Sequence, residues 1–352
     1  MAWSSILGHD DVIERLRRSL GRERLAHAYL FAGPDGIGKG LVARELAATV
    51  LCARQADEAC GQCPACHKVA HGNHPDVAFV RLIERTAKGA RHTQILIDQV
   101  RDEIQEPITY KPFEGRYKVF VVCDAERMSE EAQNCLLKTL EEPPPHSLLL
   151  LVASRLEPFV DTVVSRCQVL RFRPLPPELV ERILVEQHAM DADAARVLAR
   201  LSGGSPGRAL RYADDGSLDT ALWLLGQLAV AKPGAEFVVA ADLLDTVRTK
   251  GDRLEDAREA LRPVLALLAL AWRDLLFRAS SYPPELLAWG VDTQQLRPLA
   301  QGLAPPRARR LVDRTIEARD QLDANANIKL LVENLLLDLC ATLHGRAATT
   351  VR

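Results

Sequence analysis

Residues 33–40 read GPDGIGKG. This is the spacing of a phosphate-binding loop, G-x-x-x-x-G-K-[ST], with its last position changed. Gly33, Gly36 and Gly38 let the backbone approach a phosphate closely, and Lys39 supplies positive charge. The hydroxyl that would ligate magnesium is absent, because the next residue is Gly40. A second departure lies further on. The strand-like YKVFVVC (residues 117–123) runs into Asp124, Ala125 and Glu126. Asp124 stands where a carboxylate would hold a metal. The following position, where an acid would polarise an attacking water, is Ala125. Strand alternation predicts that Glu126 points to the other face. The alternative for Asp124 is a turn-capping role. The loop therefore keeps a cradle for ATP or ADP and lacks the groups that would hydrolyse it.

A second cluster is metallic in character. Cys52, Cys60, Cys63 and Cys66 follow a C-x7-C-x2-C-x2-C pattern. Four thiolates in so short a stretch match a closed tetrahedral zinc site, structural because no ligand position stays open. His67, His71 and His74 follow and are expected as ordinary surface residues. The other cysteines (Cys123, Cys135, Cys167, Cys340) sit in apolar contexts and read as buried small hydrophobes. Three further features are weaker. Arg166, in Ser-Arg-Cys, stands between a short helical turn and a strand, where the bland reading is a surface ion pair. Arg208, in GGSPGRAL, opens a helix and could reach a phosphate or pair with an acid. The basic RTAKGARHTQ (85–94) reads as a solvated loop, with DNA-backbone contact as the alternative.

The elements that must position these groups are legible from periodicity. AYLFAG (28–33) is a buried strand entering the phosphate loop, and residues 38–52 read as the helix after it. Strands follow at 76–82, 117–123, 147–154 and 168–174. Helices are expected at 9–20, with Val12, Ile13, Leu16 and Leu20 on one face, at 100–106, and at 129–142 with Ser129 as N-cap. Apolar strands alternating with helices predict a parallel α/β sheet. After Pro174 the pattern turns helical. Residues 176–187, 192–204 and 205–213 make a small unit. Long helical stretches cover 253–281 and 305–345, the second broken at 324–327.

The chain has 352 residues, 47% hydrophobic and 26% charged, with a net charge of −2. That length predicts more than one domain, and the near-neutral balance excludes a global field for nucleic acid or membrane. No apolar run has the length of a membrane span. The N-terminus lacks a secretory pattern, so a cytoplasmic protein is expected. Eight cysteines then favour metal or thiol roles over disulfides.

In order along the chain stand the phosphate loop, the four cysteines, IDQVR (97–101), the altered Asp box, NCLLKTLEEPP (134–144), SRC, GGSPGRAL and NANIKLLVENLLL (325–337). This series resembles the bacterial DNA polymerase III clamp-loader subunits, which are AAA+ proteins. The resemblance covers nearly the whole chain, more loosely in the tail. It implies an AAA+ P-loop α/β domain at 1–173 with a zinc module inserted at 52–66. It implies a helical lid at 174–213 and an all-α collar, used for assembly, at 214–352. The subunit class that keeps the cysteines and the SRC arginine while losing ATPase residues fits best. The gamma/tau motor would have Ser or Thr at 40 and Glu at 125, and the delta subunit usually lacks both cysteines and SRC. The resemblance implies a hetero-pentamer with gamma/tau and delta that opens a sliding clamp and places it on primed DNA, in the cytoplasmic, nucleoid-associated replisome. It implies membership of the DNA-directed DNA polymerase holoenzyme without independent ATPase activity. It makes Arg166 a finger completing a neighbour's ATP site, and Gly33, Gly36, Gly38, Lys39, Asp124 and Arg208 the relic of a nucleotide site. Two alternatives stay open: an atypical active ATPase with Glu126 in the missing role, and a zinc-dependent DNA-binding module with a relic P-loop.

Overall fold

The computed structural model describes residues 3–54, 57–83, 93–232, 234–248, 254–290 and 294–345. The chain divides into two compact units. The first is residues 1–183 with 204–207, and the second is 184–203 with 208–352.

The first unit is a parallel sheet between two helical layers. Its strands are β1 (Ala28–Ala32), β2 (Val77–Val80), β3 (Lys118–Val122), β4 (Ser147–Ala153) and β5 (Gln168–Arg171). They lie in the order β2-β3-β4-β1-β5, and every pair is parallel. All five residues of β1 and all seven of β4 are buried. Alternate side chains feed opposite faces, so both faces must be apolar, as in a sheet covered on each side. Tyr29, Phe31, Val119 and Val121 join one core with helices α1 (Asp10–Gly21), α2 (Lys39–Leu51) and α3 (Pro64–Ala70). Leu30, Phe120 and Val122 join the other. That second face is covered by α4 (Ile97–Val100), the π-helical turn Arg101–Gln105 that continues it, α5 (Glu130–Glu141) and α6 (Asp161–Val164). Ser129 caps α5 as expected, its hydroxyl accepting from Ala132 N at 3.2 Å. Leu20 is only half-buried, although Val12, Ile13 and Leu16 are buried as their spacing predicts.

Interior strand β1, between β4 and β5, delivers the phosphate loop at its C-terminal edge. The loop is seated by its neighbours. Gly33 N donates to Ala153 O at the end of β4, 3.2 Å away, and Phe172 N donates to Ala32 O at 2.7 Å. A Cβ on Gly33 would sit 2.4 Å from the Phe172 carbonyl oxygen, so only glycine fits there.

The second unit is helical throughout its described residues. It contains α8 (Ala192–Leu201), α10 (Ser217–Val230), α11 (Ala235–Arg248), α12 (Leu254–Ala279), α13 (Leu296–Ala300), α14 (Pro305–Asp323) and α15 (Ile328–His344). Helices α7 (Pro177–His188) and α9 (Pro206–Asp214) run across the division between the units. The break expected at 324–327 separates α14 from α15, and Asn327 caps the latter through Lys329 N and Leu330 N. Arg258 donates to the carbonyls of Leu322, Asn325 and Ala326, and Arg307 to those of Thr342 and Leu343. Arg307 thus satisfies carbonyls of the last turn of α15, and Arg258 braces the turn between α14 and α15. Among the described residues no helix is long and apolar enough to cross a membrane.

Candidate functional site

The phosphate loop is held from three directions. Gly36 and Gly38 have φ of 74° and 108°, values that favour glycine. Beneath the loop, His9 is buried and its Nε2–H donates to Ile37 O at 2.7 Å. Its ring meets Phe172 edge-on, with centroids 4.9 Å apart. Burial holds His9 below the usual imidazole range, which keeps it neutral. From the far end of the first unit, Ser205 Oγ donates to Asp35 O at 2.7 Å and Gly207 N to Gly36 O at 2.9 Å. A Cβ on Gly207 would lie 2.9 Å from Gly36 Cα, so this contact too depends on glycine.

Lys39 is 5% exposed and is turned onto its own loop. Its Nζ donates to Gly33 O at 2.5 Å and Pro34 O at 2.7 Å, and lies 3.8 Å from the Asp35 carboxylate. Burial lowers its pKa, while Asp35, Glu126 and Asp124 oppose that shift. A Cβ on Gly40 would meet open space, so glycine there is not a packing requirement.

Asp35, Asp124 and Glu126 can bring carboxylate oxygens within 4.8 Å of one another. The expectation that Glu126 points away is corrected here. β3 ends at Val122, Asp124 adopts a left-handed φ of 50°, and residues Ala125–Arg127 form a 3-10 turn. Strand alternation no longer applies past Val122. Glu126 swings back beside Asp124 and accepts from the Ser154 hydroxyl just beyond β4. Ala125 is fully buried. The acidic turn can oppose the lysine charge or help hold a cation; it has no acid at position 125.

The four cysteines converge as their spacing predicts. Their sulfurs lie within 4.8 Å of one another, with Cys60 and Cys66 Sγ 4.0 Å apart. Tetrahedral zinc–thiolate geometry places sulfurs about 3.8 Å apart. Cys52 follows the end of α2, Cys63 caps α3, and Cys66 lies one turn into it. Backbone N–H groups already point at sulfur: Cys60 N at Cys52 Sγ, 3.4 Å, and Cys66 N at Cys63 Sγ, 3.5 Å. Backbone donors from Gln62 and Cys63 lower the Cys60 thiol to about 6, whereas burial pushes Cys66 up to about 12. These residues fit a thiolate-bound metal. A cation at the centre would hold all four as thiolates and close the loop.

The neighbouring histidines divide. His67 and His71 are exposed, but His74 is 3% exposed, which corrects the surface expectation. Its Nδ1 accepts from Asp76 N at 3.1 Å. Asp76 is buried as well and accepts from Phe113 N, Glu114 N and Gly115 N at 2.5, 2.9 and 2.7 Å. Burial raises its pKa, and the three donors outweigh that to leave it below the usual range. Of the remaining cysteines only Cys340 is buried; Cys123, Cys135 and Cys167 are half-buried. Cys135 Sγ donates to Gln105 Oε1 at 3.1 Å.

Arg166 lies apart from the phosphate loop, beyond α6. Its guanidinium contacts Glu141 Oε1 at 2.6 Å and donates to Thr162 O at 2.9 Å. Gln133, buried in α5, donates to Met128 O and Pro158 O and accepts from Val160 N. It therefore ties α5 to the start of α6. Neither Gln133 nor Glu141 carries a sequence signal beyond its place in the SEEAQNCLLKTLEE helix. Arg208 falls in the second unit, where its Nη1 donates to Ser202 O at 3.2 Å. Of the basic stretch 85–94, residues 85–92 lie outside the described residues.

Residues 8–176 match the sequence family described as DNA polymerase III, delta subunit. The delta' subunit of Pseudomonas aeruginosa PAO1 is 41% identical over 202 residues, covering 56% of this chain and 58% of that protein. The delta' subunit of Bacillus subtilis strain 168 is 34% identical over 191 residues, 54% of this chain and 55% of its own length. The tau subunit of the same strain is 23% identical over 364 residues, covering 98% of this chain and 62% of tau. The chain thus spans between 55% and 62% of the length of these relatives. The first unit, a parallel sheet with a phosphate-loop sequence after the interior strand β1, is thus similar to sequences of the DNA polymerase III delta subunit family. Over the matched half of the chain the similarity is to delta' and tau subunits of DNA polymerase III.

Proposed function

We propose that this chain is a delta-prime-type stator of a clamp loader. It does not turn over ATP itself, and it supplies Arg166 to the ATP site of an adjacent gamma/tau subunit. The observation that carries this reading is the asymmetry between the two sites. Its own pocket has Gly40 and a buried Ala125 where a metal ligand and an acid would act, and Lys39 is spent on loop carbonyls. Arg166, by contrast, is a partly exposed guanidinium at the edge of the sheet domain. An arginine finger stabilises charge on the transferring phosphoryl group and can contribute about 10³–10⁵ in rate. The proposed partners are gamma/tau and delta in a hetero-pentamer, with the sliding clamp and primed DNA engaged through the complex. The proposed divisions are residues 1–173 as the AAA+ domain, 174–213 as lid and 214–352 as collar. Cys52, Cys60, Cys63 and Cys66 would hold structural zinc, and Gly33, Gly36, Gly38, Lys39 and Asp124 are proposed as the relic nucleotide site.

The test is a complex reconstituted with gamma/tau and delta. Arg166→Ala should leave assembly and metal content unchanged and lower ATP turnover and clamp loading in part, since other sites keep their own fingers. Arg166→Lys should recover little, because an ammonium cannot bridge two phosphate oxygens as a guanidinium does. Normal loading by Arg166→Ala refutes the finger.

The position of Glu126 beside Asp35 and Asp124 favours one second reading, an ATPase in which Glu126 serves as the missing acid. Steady hydrolysis by the isolated chain, abolished by Lys39→Ala, would establish that reading and overturn the stator.

A further inference from the structure

Arg166 is held rather than free. Its Nη2 meets Glu141 Oε1 at 2.6 Å, and its Nη1 donates to Thr162 O at 2.9 Å and contacts Ser165 Oγ at 3.4 Å. A guanidinium carries five N–H donors in one plane, so these contacts fix its orientation and leave donor capacity over. Glu141 is the last residue of α5, and Glu142 follows as its C-cap. The C-terminal end of a helix already bears partial negative charge, so two carboxylates there are locally unfavourable. Arg166 supplies the counter-charge. The other end of the α5–α6 contact is fixed by Gln133, which bonds Pro158 O at 2.9 Å and Val160 N at 2.9 Å. The short helix that precedes the arginine is therefore seated at its start by Gln133, and the arginine just past its end by Glu141.

We infer that Glu141 is the positioning residue for Arg166. It selects the rotamer in which the guanidinium stands at the domain edge, facing a phosphate brought by an adjacent subunit. The inference rests on the finger reading above. The pair suits this task because it is weak. The side chains keep 34% and 51% of their exposure, and an exposed ion pair biases a conformer by only about two- to fivefold. A polyphosphate, with more charge and two oxygens in bidentate reach, can therefore take the arginine over from one carboxylate.

A double-mutant cycle in the reconstituted complex tests the inference, read as kcat and KM for ATP with Arg166→Ala, Glu141→Ala and both together. Glu141→Ala should lower kcat by less than Arg166→Ala does, with KM unchanged, and should cause no further loss once Arg166 is already alanine. Glu141→Gln keeps an oxygen acceptor without the charge and should fall between wild type and alanine. An equal loss in both backgrounds would mean that Glu141 acts on the fold, overturning the inference while the finger reading stands. A rise in kcat with Glu141→Ala would also overturn it, because the carboxylate would then be withholding the arginine. No effect of Arg166→Ala alone would sink the finger reading, and the inference with it.

Discussion

Glu45 offers the sharpest test of how the first unit is built. It lies on α2, on the helix that follows the phosphate loop, and is 1% exposed. Among the described residues neither carboxylate oxygen has a hydrogen-bond partner. Burial raises its carboxyl from 4.5 to about 7, opposed by the N-terminal ammonium and by the Ala59 N–H, which points toward it without forming a full hydrogen bond, and helped by the like charge of Glu58. The folded state therefore binds a proton that the unfolded chain has released across this window. Stability from the neutral carboxyl is fully present below 4.5 and is lost as pH rises through about 7. The rise corresponds to about 3 kcal/mol. Glu45→Gln removes the charge at nearly constant shape, so its melting temperature should match wild type at pH 4.5 and exceed it at pH 8. For a unit of this size about 3 kcal/mol moves the transition by about 6–12 °C. Calorimetry of both proteins across pH 4.5 to 8 provides the measurement. Two curves that run parallel would show that the carboxylate is compensated in the folded state, and the argument from unpartnered burial would fail.

Other outcomes follow from the same geometry. Protein purified without chelator should carry about one zinc by elemental analysis, and Cys66→Ser should lose it and expose the 52–66 segment to protease. Metal-free wild-type protein would remove the zinc reading. Asp76→Ala strips three backbone donors of a buried acceptor and should cost about 3–5 kcal/mol in chemical denaturation. Because the Asp76 pKa is depressed, its contribution is present above the unfolded value of 3.8 and lost as pH falls through the folded one; an Asp76→Ala chain as stable as wild type at pH 7 would contradict the assigned bonds. Gly40→Ser should be accepted without loss and stabilise by about 0.3–0.5 kcal/mol through helix propensity, since open space surrounds that position. It should not by itself start ATP hydrolysis, because Ala125 still lacks the acid; steady turnover by Gly40→Ser would contradict that assignment of roles.

Whatever acts over a few residues is legible in the chain alone. The run AYLFAG into GPDGIGKG specifies strand, loop and helix, because glycine spacing and apolar periodicity act over a few residues, and β1 and α2 form there. The C-x7-C-x2-C-x2-C spacing brings four sulfurs together for the same reason. The missing hydroxyl at 40 and acid at 125 are facts of composition, and Ser129 and Asn327 announce their helices by capping chemistry. Tertiary structure decided what depends on partners distant in sequence. Ser205 reaches Asp35 across 170 residues only because the chain returns to the loop after β5. Glu126 turns inward because the backbone leaves the strand at Val122, ending the alternation that would have sent it outward. His74, near three exposed neighbours, is buried because Asp76 draws the 113–115 backbone over it. Arg166 meets Glu141 because strand order sets α5 beside α6. Periodicity assigns a residue to a face; only the packed elements decide which charge waits opposite it.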